Sequence, residues 1–380
     1  MWHYFDDEDL AAVREVLDTG NLCAISGTAT PRFEQAFAEQ FRAPHGLAVC
    51  NAMAGLHCAV AAAGVQPGDE VVVDPLVAFA GLAVMYHNGI PIYADVRRDT
   101  HTMDVESLKS RITDRTRAVI VTQLWGLCAD MDEILEVAHQ HDLVVIEDCA
   151  HAIYAQYGDK YAGTIGDIGV FSFQQSKQMA LGDAGMVLCQ SQEHRDIMHE
   201  MITFGTIPAR VAWNYRINEV VAAIGSVQLK RARHYVDICI ESAKYYNEAV
   251  AGLESLVAPQ ATPEGRVNTY HIWTGLFEGD KMGVDYEEFK QAHADAGIAF
   301  NFGYIERPAY LHPTVAEPVG YGKGCPRTCP YADNNPVYAK GLCPQAEDMM
   351  PRLILVGTCG NPDDHKRTAE TWRGVLEKFA

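Results

Sequence analysis

Between Leu47 and Cys189 the chain repeats one pattern: a short apolar run rich in β-formers, then a stretch with helical character, then another run. The runs cover 47–50, 70–73, 90–93, 118–122, 143–146, 168–173 and 186–189, with helix candidates at 52–63, 79–87, 105–109 and 131–139. Gly68-Asp69, Asn88-Gly89 and His141-Asp142 supply turn chemistry at the joins. Such alternation predicts an α/β fold, a mainly parallel sheet of seven strands covered by helices.

After Asn218 the character changes. Val221, Ile224, Val227 and Leu229 recur at helical spacing, which predicts a long amphipathic helix over about 219–253. The remainder, with a Pro/Gly/Cys-rich middle (308–344), an apolar run at 351–357 and a terminal helix at 364–379, reads as a smaller C-terminal α/β domain. The expected division is a large domain with an N-terminal segment, 1–240, and a small domain, 241–380.

At 380 residues, with 48% hydrophobic and 21% charged residues, the chain can bury a sizeable core, and disorder is excluded for the bulk of it. A formal net charge of -20 without a Lys/Arg cluster argues against a nucleic-acid partner. The longest apolar stretch, 47–63, is interrupted by Asn51, Gly55 and His57, so no membrane span is expected. Met1-Trp2-His3-Tyr4 has neither the basic nor the apolar region of a secretory signal, and eleven scattered cysteines read as reduced thiols in a cytoplasm. Cys325, Cys329, Cys343 and Cys359 begin with a C-x3-C spacing and continue irregularly, so no metal site is expected.

The segment richest in chemistry starts at Val144-Val145-Ile146-Glu147-Asp148-Cys149-Ala150-His151 and runs through Phe171-Ser172-Phe173 to Lys177 and Gly182-Asp183-Ala184-Gly185. Carboxyl ends of strands are where α/β sheets place ligands. An acidic residue closes one buried strand there, and Lys177 follows another among aromatic and small residues. A lysine in a tight, partly buried setting loses proton affinity and becomes a nucleophile toward an aldehyde, while a carboxylate can hold a pyridinium nitrogen protonated. Lys177, Asp148 and a phosphate-binding Ser172 are together what pyridoxal 5'-phosphate requires; the plain alternative is a structural Lys–Asp ion pair.

The order of the motifs resembles the DegT/DnrJ/EryC1/StrS family of sugar aminotransferases, pyridoxal phosphate enzymes of fold type I. The resemblance spans nearly the whole chain: Ser26-Gly27 with Phe33-Glu34, Gly68-Asp69-Glu70-Val71, Asp130-Met131-Asp132, Glu147-Asp148-Cys149-Ala150-His151, Phe171-Ser172-Phe173 with Lys177, and Asn214-Tyr215-Arg216-Ile217-Asn218-Glu219 with Ala222-Ala223-Ile224-Gly225. It implies that Lys177 binds the cofactor aldehyde covalently and shuttles a proton between substrate carbon and cofactor. It further implies Asp148 at the pyridine nitrogen, His151 near the phenolic oxygen, and Ser172 and the helix start at Ala52 and Met53 on the phosphate. Phe79 would stack on the ring, and Asn214 would reach the phosphate of a neighbouring subunit, making a homodimer with shared active sites. Packing offers a bland rival for His151 and Phe79, and helix capping one for Asn214.

Two departures stand out. Asn51-Ala52-Met53 replaces the family's Asn-Gly-Thr, losing a hydroxyl and a glycine, and Ala78 replaces a Thr before the stacking aromatic. In the stretch from Gly303 to Pro313, which corresponds to the segment closing over substrate in relatives, Arg307, Tyr310 and His312 are candidates for binding hydroxyls or a carboxylate. The resulting expectation is transfer of an amino group from L-glutamine or L-glutamate to a polyhydroxylated ketone. The string Phe171 to Met179 resembles the family branch acting on scyllo-inosose and related keto-cyclitols more than the nucleotide-sugar branch, which implies a role in aminoglycoside or other secondary-metabolite biosynthesis. Alternatives are a changed reaction on the same cofactor (decarboxylation, elimination or epimerisation) or a non-catalytic regulatory relative.

Overall fold

A computed structural model describes residues 4–204, 211–317, 320–326, 328, 330–331 and 336–380. Its main sheet has seven strands: β1 (His45–Val49), β2 (Glu70–Val73), β3 (Ile90–Tyr93), β4 (Thr116–Thr122), β5 (Val144–Asp148), β6 (Ile168–Ser172) and β7 (Gly185–Cys189). They lie in the order β1-β7-β6-β5-β4-β2-β3. Every pair from β6 through β3 is parallel, whereas β7 runs antiparallel to both of its neighbours. The sheet is therefore mainly parallel, as the alternation predicts.

Central strands are buried on both faces because helices cover each side. Val71, Val73, Ala118, Ile120, Ile146 and Val170 pack on one face against the helices Ala52–Ala62 and Ala78–Tyr86. Val72, Val119, Val121, Val145 and Phe171 pack on the other against Phe33, Phe37 and Ile134. The second apolar core lies around an antiparallel sheet of four strands, Val257–Pro259, Ile272–Phe277, Leu353–Gly357 and Asn301–Phe302.

One helix, Glu219–Val250, joins the two cores. Its first half contributes Ala222, Leu229, Ala232 and Val236 to the main-sheet core, and its second half contributes Ala243, Tyr246 and Val250 to the other. The expected division at 240/241 falls inside this helix, where one core gives way to the next. Residues 309–350 also send Tyr310, Val315, Cys343 and Met349 back into the core of the main sheet.

Among the described residues, no helix is long and apolar enough to cross a membrane, and no group of three or more His, Cys, Asp or Glu side chains is arranged around a metal position. Cys329, part of the C-x3-C spacing, lies outside the described residues.

Candidate active site

Asp148 ends β5, and parallel neighbours on both sides carry its carboxylate to the carboxyl edge of the sheet. It is 2% exposed, and its Oδ1 accepts a hydrogen bond from the Ala150 amide at 3.0 Å. Burial raises this carboxyl on balance, against the opposing pull of the Ala150 amide and the Lys177 ammonium. The preceding Glu147 is fully buried for a different purpose: it accepts from the amides of Ile165 and Gly166 and from Gln123 Nε2, fixing the loop that leads into β6.

Lys177 stands in the loop between β6 and the reversed strand β7. The loop is tied at its base, where the Phe173 amide donates to Ala184 O at 2.9 Å and the Leu181 amide to Phe173 O at 2.8 Å. The adjoining Gln178 donates from Nε2 to Thr269 O at 2.7 Å, anchoring the loop to the segment before the second sheet. Desolvation pulls the Lys177 ammonium down to about 8, against the opposing pull of Asp148. The lysine thus keeps a substantial free-amine fraction near neutrality.

His151 follows Asp148 around the end of β5. Burial holds its proton affinity well below the ordinary imidazole range, helped by the Lys177 charge. Its Nδ1 is buried without a hydrogen-bond partner among the described residues, so it is not a satisfied core histidine. Its ring lies 4.6 Å from that of His271 at 32°, a second neutral histidine pulled down to about 3 by burial.

The helix Ala52–Ala62 begins beside these groups. Asn51 caps it, accepting from the Ala54 amide at 2.9 Å, and the first-turn amides of Ala52 and Met53 have no intrahelical acceptor. Strand β7 passes under this helix start at Gly185, where a Cβ would come within 3.0 Å of the Ala52 nitrogen. Only a residue without a side chain fits there.

These groups line one cavity of about 350 Å³: Ala52, Met53, Phe79, Asp148, His151, Ser172 and Lys177 all face it. Phe79 is 55% exposed, which excludes ordinary helix packing. A phosphorylated pyridine aldehyde asks for an amine of low proton affinity, a buried carboxylate, an unpartnered ring donor or acceptor, and free amides for an anion. Lys177, Asp148, His151 Nδ1 and the start of the Ala52 helix fit those four needs.

One neighbour of the site is not anticipated from sequence. Asp74, at the end of β2, is 3% exposed and accepts from the Leu76 amide at 3.0 Å and from Thr122 Oγ1, while Thr122 itself lines the cavity. Burial lifts its carboxyl to about 6, with the Asp148 charge adding to the rise. The signal was available, since Asp74 follows a buried strand as Asp148 closes another.

Other expected residues lie away from this cavity. Asn214 is exposed in an extended segment, bridging to Thr203, and the cap of the following helix is Asn218, which accepts from the Val221 amide at 3.0 Å. Arg307 pairs with its neighbour Glu306, and His312 accepts from the Thr314 amide. Tyr310 is fully buried, its hydroxyl donating to Glu347 and accepting from the Cys343 amide, so it serves packing within the main core and not an open binding loop.

Comparison with known proteins fits this geometry. The sequence profile of the DegT/DnrJ/EryC1/StrS aminotransferase family matches residues 3–355. GDP-perosamine synthase of Escherichia coli O157:H7 is 34% identical over 299 residues, 74% of this chain and 78% of that protein. A protein of Micromonospora echinospora assigned as an L-glutamine:3-amino-2,3-dideoxy-scyllo-inosose aminotransferase is 34% identical over 241 residues, 60% of this chain and 58% of its own length. The crystal structure of DesV from S. venezuelae superposes with a TM-score of 0.84 at 25% identity, covering 97% of this chain and 94% of that one. Its cofactor is pyridoxal phosphate, its fold is that of the fold-type I transferases, and the chain belongs to the DegT/DnrJ/EryC1/StrS aminotransferase family.

Proposed function

We propose that this aminotransferase moves the amino group of L-glutamine or L-glutamate to the carbonyl of a keto-cyclitol or keto-sugar, as a cytoplasmic homodimer in aminoglycoside or other secondary-metabolite biosynthesis. The observation that carries the reading is a lysine of lowered proton affinity and a buried carboxylate facing one cavity beside a free helix start.

Bound pyridoxal phosphate supplies an electron-accepting ring and a carbon that stores nitrogen between the two half-reactions. Lys177 attacks as the free amine; lowering its proton affinity from 10.5 to about 8 raises that form at pH 7 by about two orders of magnitude. With cofactor and donor bound, the same amine would carry the proton that leaves the substrate carbon. Asp148 would hold the proton on the ring nitrogen; burial raises its own carboxyl, and the Ala150 amide and the Lys177 charge oppose that rise. His151, with its unpartnered Nδ1, would meet the ring's oxygen, the amides of Ala52 and Met53 with Ser172 would hold the phosphate, and Phe79 would cover the ring face. Asn214, exposed on its extended segment, would complete the phosphate site of a second copy.

For the acceptor, a neutral keto-cyclitol suits a chain of net charge -20 better than a nucleotide diphosphate does, and the M. echinospora relative is assigned to that chemistry. A nucleotide-linked keto-sugar is the second reading, favoured by the longer match to GDP-perosamine synthase. The deciding experiment follows the visible spectrum of the cofactor-loaded protein as L-glutamine or L-glutamate is added, with Lys177→Ala as control, and then supplies each class of ketone. Bleaching by a donor and recovery by scyllo-inosose supports the proposal. Recovery only with a nucleotide-linked keto-sugar would replace the cyclitol by the second reading.

A further inference from the structure

Ten cysteines fall within the described residues, and only two of those thiols are recorded in contact with each other. Cys239, in the middle of the long helix and wholly buried, has its Sγ 3.4 Å from the Sγ of Cys359, which follows the strand Leu353–Gly357 and is partly exposed. The residues are 120 positions apart, so nothing local forces them together. Each sits on a fixed support. Cys239 is held on a continuous helix, and the residue before Cys359, Thr358, is fully buried with its hydroxyl donating to Tyr270 O.

The pair also adjoins the catalytic loop. Cys239 lies within hydrogen-bonding reach of the side chains of Gln178 and Thr358, and Gln178 is the residue after Lys177. Cys359 and Lys177 lie within electrostatic reach of each other. Hydrogen bonding between the thiols eases loss of the pair's first proton and hinders the second, which gives this contact more thiolate character than an isolated buried cysteine has.

We propose that Cys239 and Cys359 are a reversible disulfide site whose oxidation is felt at Lys177. With a peroxide as oxidant, the Cys359 sulfur attacks one peroxide oxygen, an S–O bond forms, the O–O bond breaks and water leaves. The Cys239 sulfur then attacks the oxidised Cys359 sulfur, the S–S bond forms, the S–O bond breaks and a second water leaves. Two thiols and one hydrogen peroxide become one disulfide and two waters, and the two electrons lost by sulfur reduce the peroxide. A dithiol reverses the step by exchange. The sulfurs close from 3.4 Å to a bond of about 2 Å. The step changes the sulfur beside Gln178, the residue that follows Lys177 in the chain.

The test titrates the cofactor-loaded protein with hydrogen peroxide and maps its peptides without reduction. A crosslink joining the Cys239 and Cys359 peptides, abolished in Cys239→Ser and in Cys359→Ser and reversed by dithiothreitol, is the expected result. The midpoint pH of the Lys177-dependent visible band should shift on oxidation and return on reduction, while peroxide leaves the band of each serine variant unmoved. If either variant fails to fold, the wild-type peptide map alone decides the site. Oxidation of exposed Cys23 and partly buried Cys50 while both partners stay reduced would overturn the disulfide, as would overoxidised Cys359 without a crosslink. A crosslink with an unmoved midpoint would overturn its link to Lys177.

Discussion

The floor and the rim of the cavity are built differently. Asp148, Lys177 and His151 form the floor, held by strand ends and a loop tied at its base, and their protonation is set by burial within one chain. Phe79, at the cavity's rim, is exposed; Asn214, away from the cavity, is exposed too, and Leu22, Ile25, Phe204 and Val211 are exposed apolar side chains on the segments before the Ala29–Phe41 helix and around the 211–218 strap. Under the proposed function the floor, which one chain completes, would move protons, and the exposed residues would meet a second copy.

Breaking the floor should have the largest effect. Lys177→Ala is expected to abolish the visible cofactor band and lower turnover by on the order of 10³-fold or more while circular dichroism stays unchanged. Asp148→Asn, which keeps the shape and removes the charge, should lower kcat/KM by about 10²-fold, read in the donor half-reaction. Among the exposed residues, Phe79→Ala at the rim and Asn214→Ala at the proposed contact with a second copy should weaken cofactor affinity by about tenfold with a smaller loss of kcat. For Asn214→Ala, cofactor titrated into mixtures with Lys177→Ala protein would recover part of that affinity if the sites are shared, and none if they are not.

The smallest expected effect is on stability and sharpens the claim that burial tunes the floor. A lysine whose folded-state proton affinity is lowered from 10.5 to about 8 destabilises the fold fully below pH 8, and the penalty fades as pH rises toward 10.5. Lys177→Met should therefore stabilise the cofactor-free protein by about 1–3 kcal/mol at pH 7, a gain that shrinks in thermal melts repeated at higher pH.

Strand periodicity made much of the fold legible. Runs 70–73 and 90–93 coincide with β2 and β3 because short buried strands bounded by turn residues carry an unbroken apolar signal. β5 extends two residues beyond its expected end, since Glu147 and Asp148 look like the close of an apolar run although both are buried and hydrogen-bonded. The helix Gln192–Thr203 was not anticipated, because only Met198, Met201 and Ile202 of its residues are buried. Lys177 and Asp148 were legible as chemistry at strand ends. Asp74, which follows a buried strand as Asp148 closes one, carries a sequence signal, but its tie to the site is the contact with Thr122; His271 carries none, since its place shows only in the ring contact with His151, and both contacts join residues far apart in sequence.

The helix Glu219–Val250, 32 residues long, extends about 48 Å and belongs to both hydrophobic cores. Melting the four-stranded sheet would strip the apolar cover from half of it, and losing the main sheet would strip the other half. Neither core can be lost without exposing the helix that the other needs, so calorimetry should record one cooperative transition where the sequence suggests two domains.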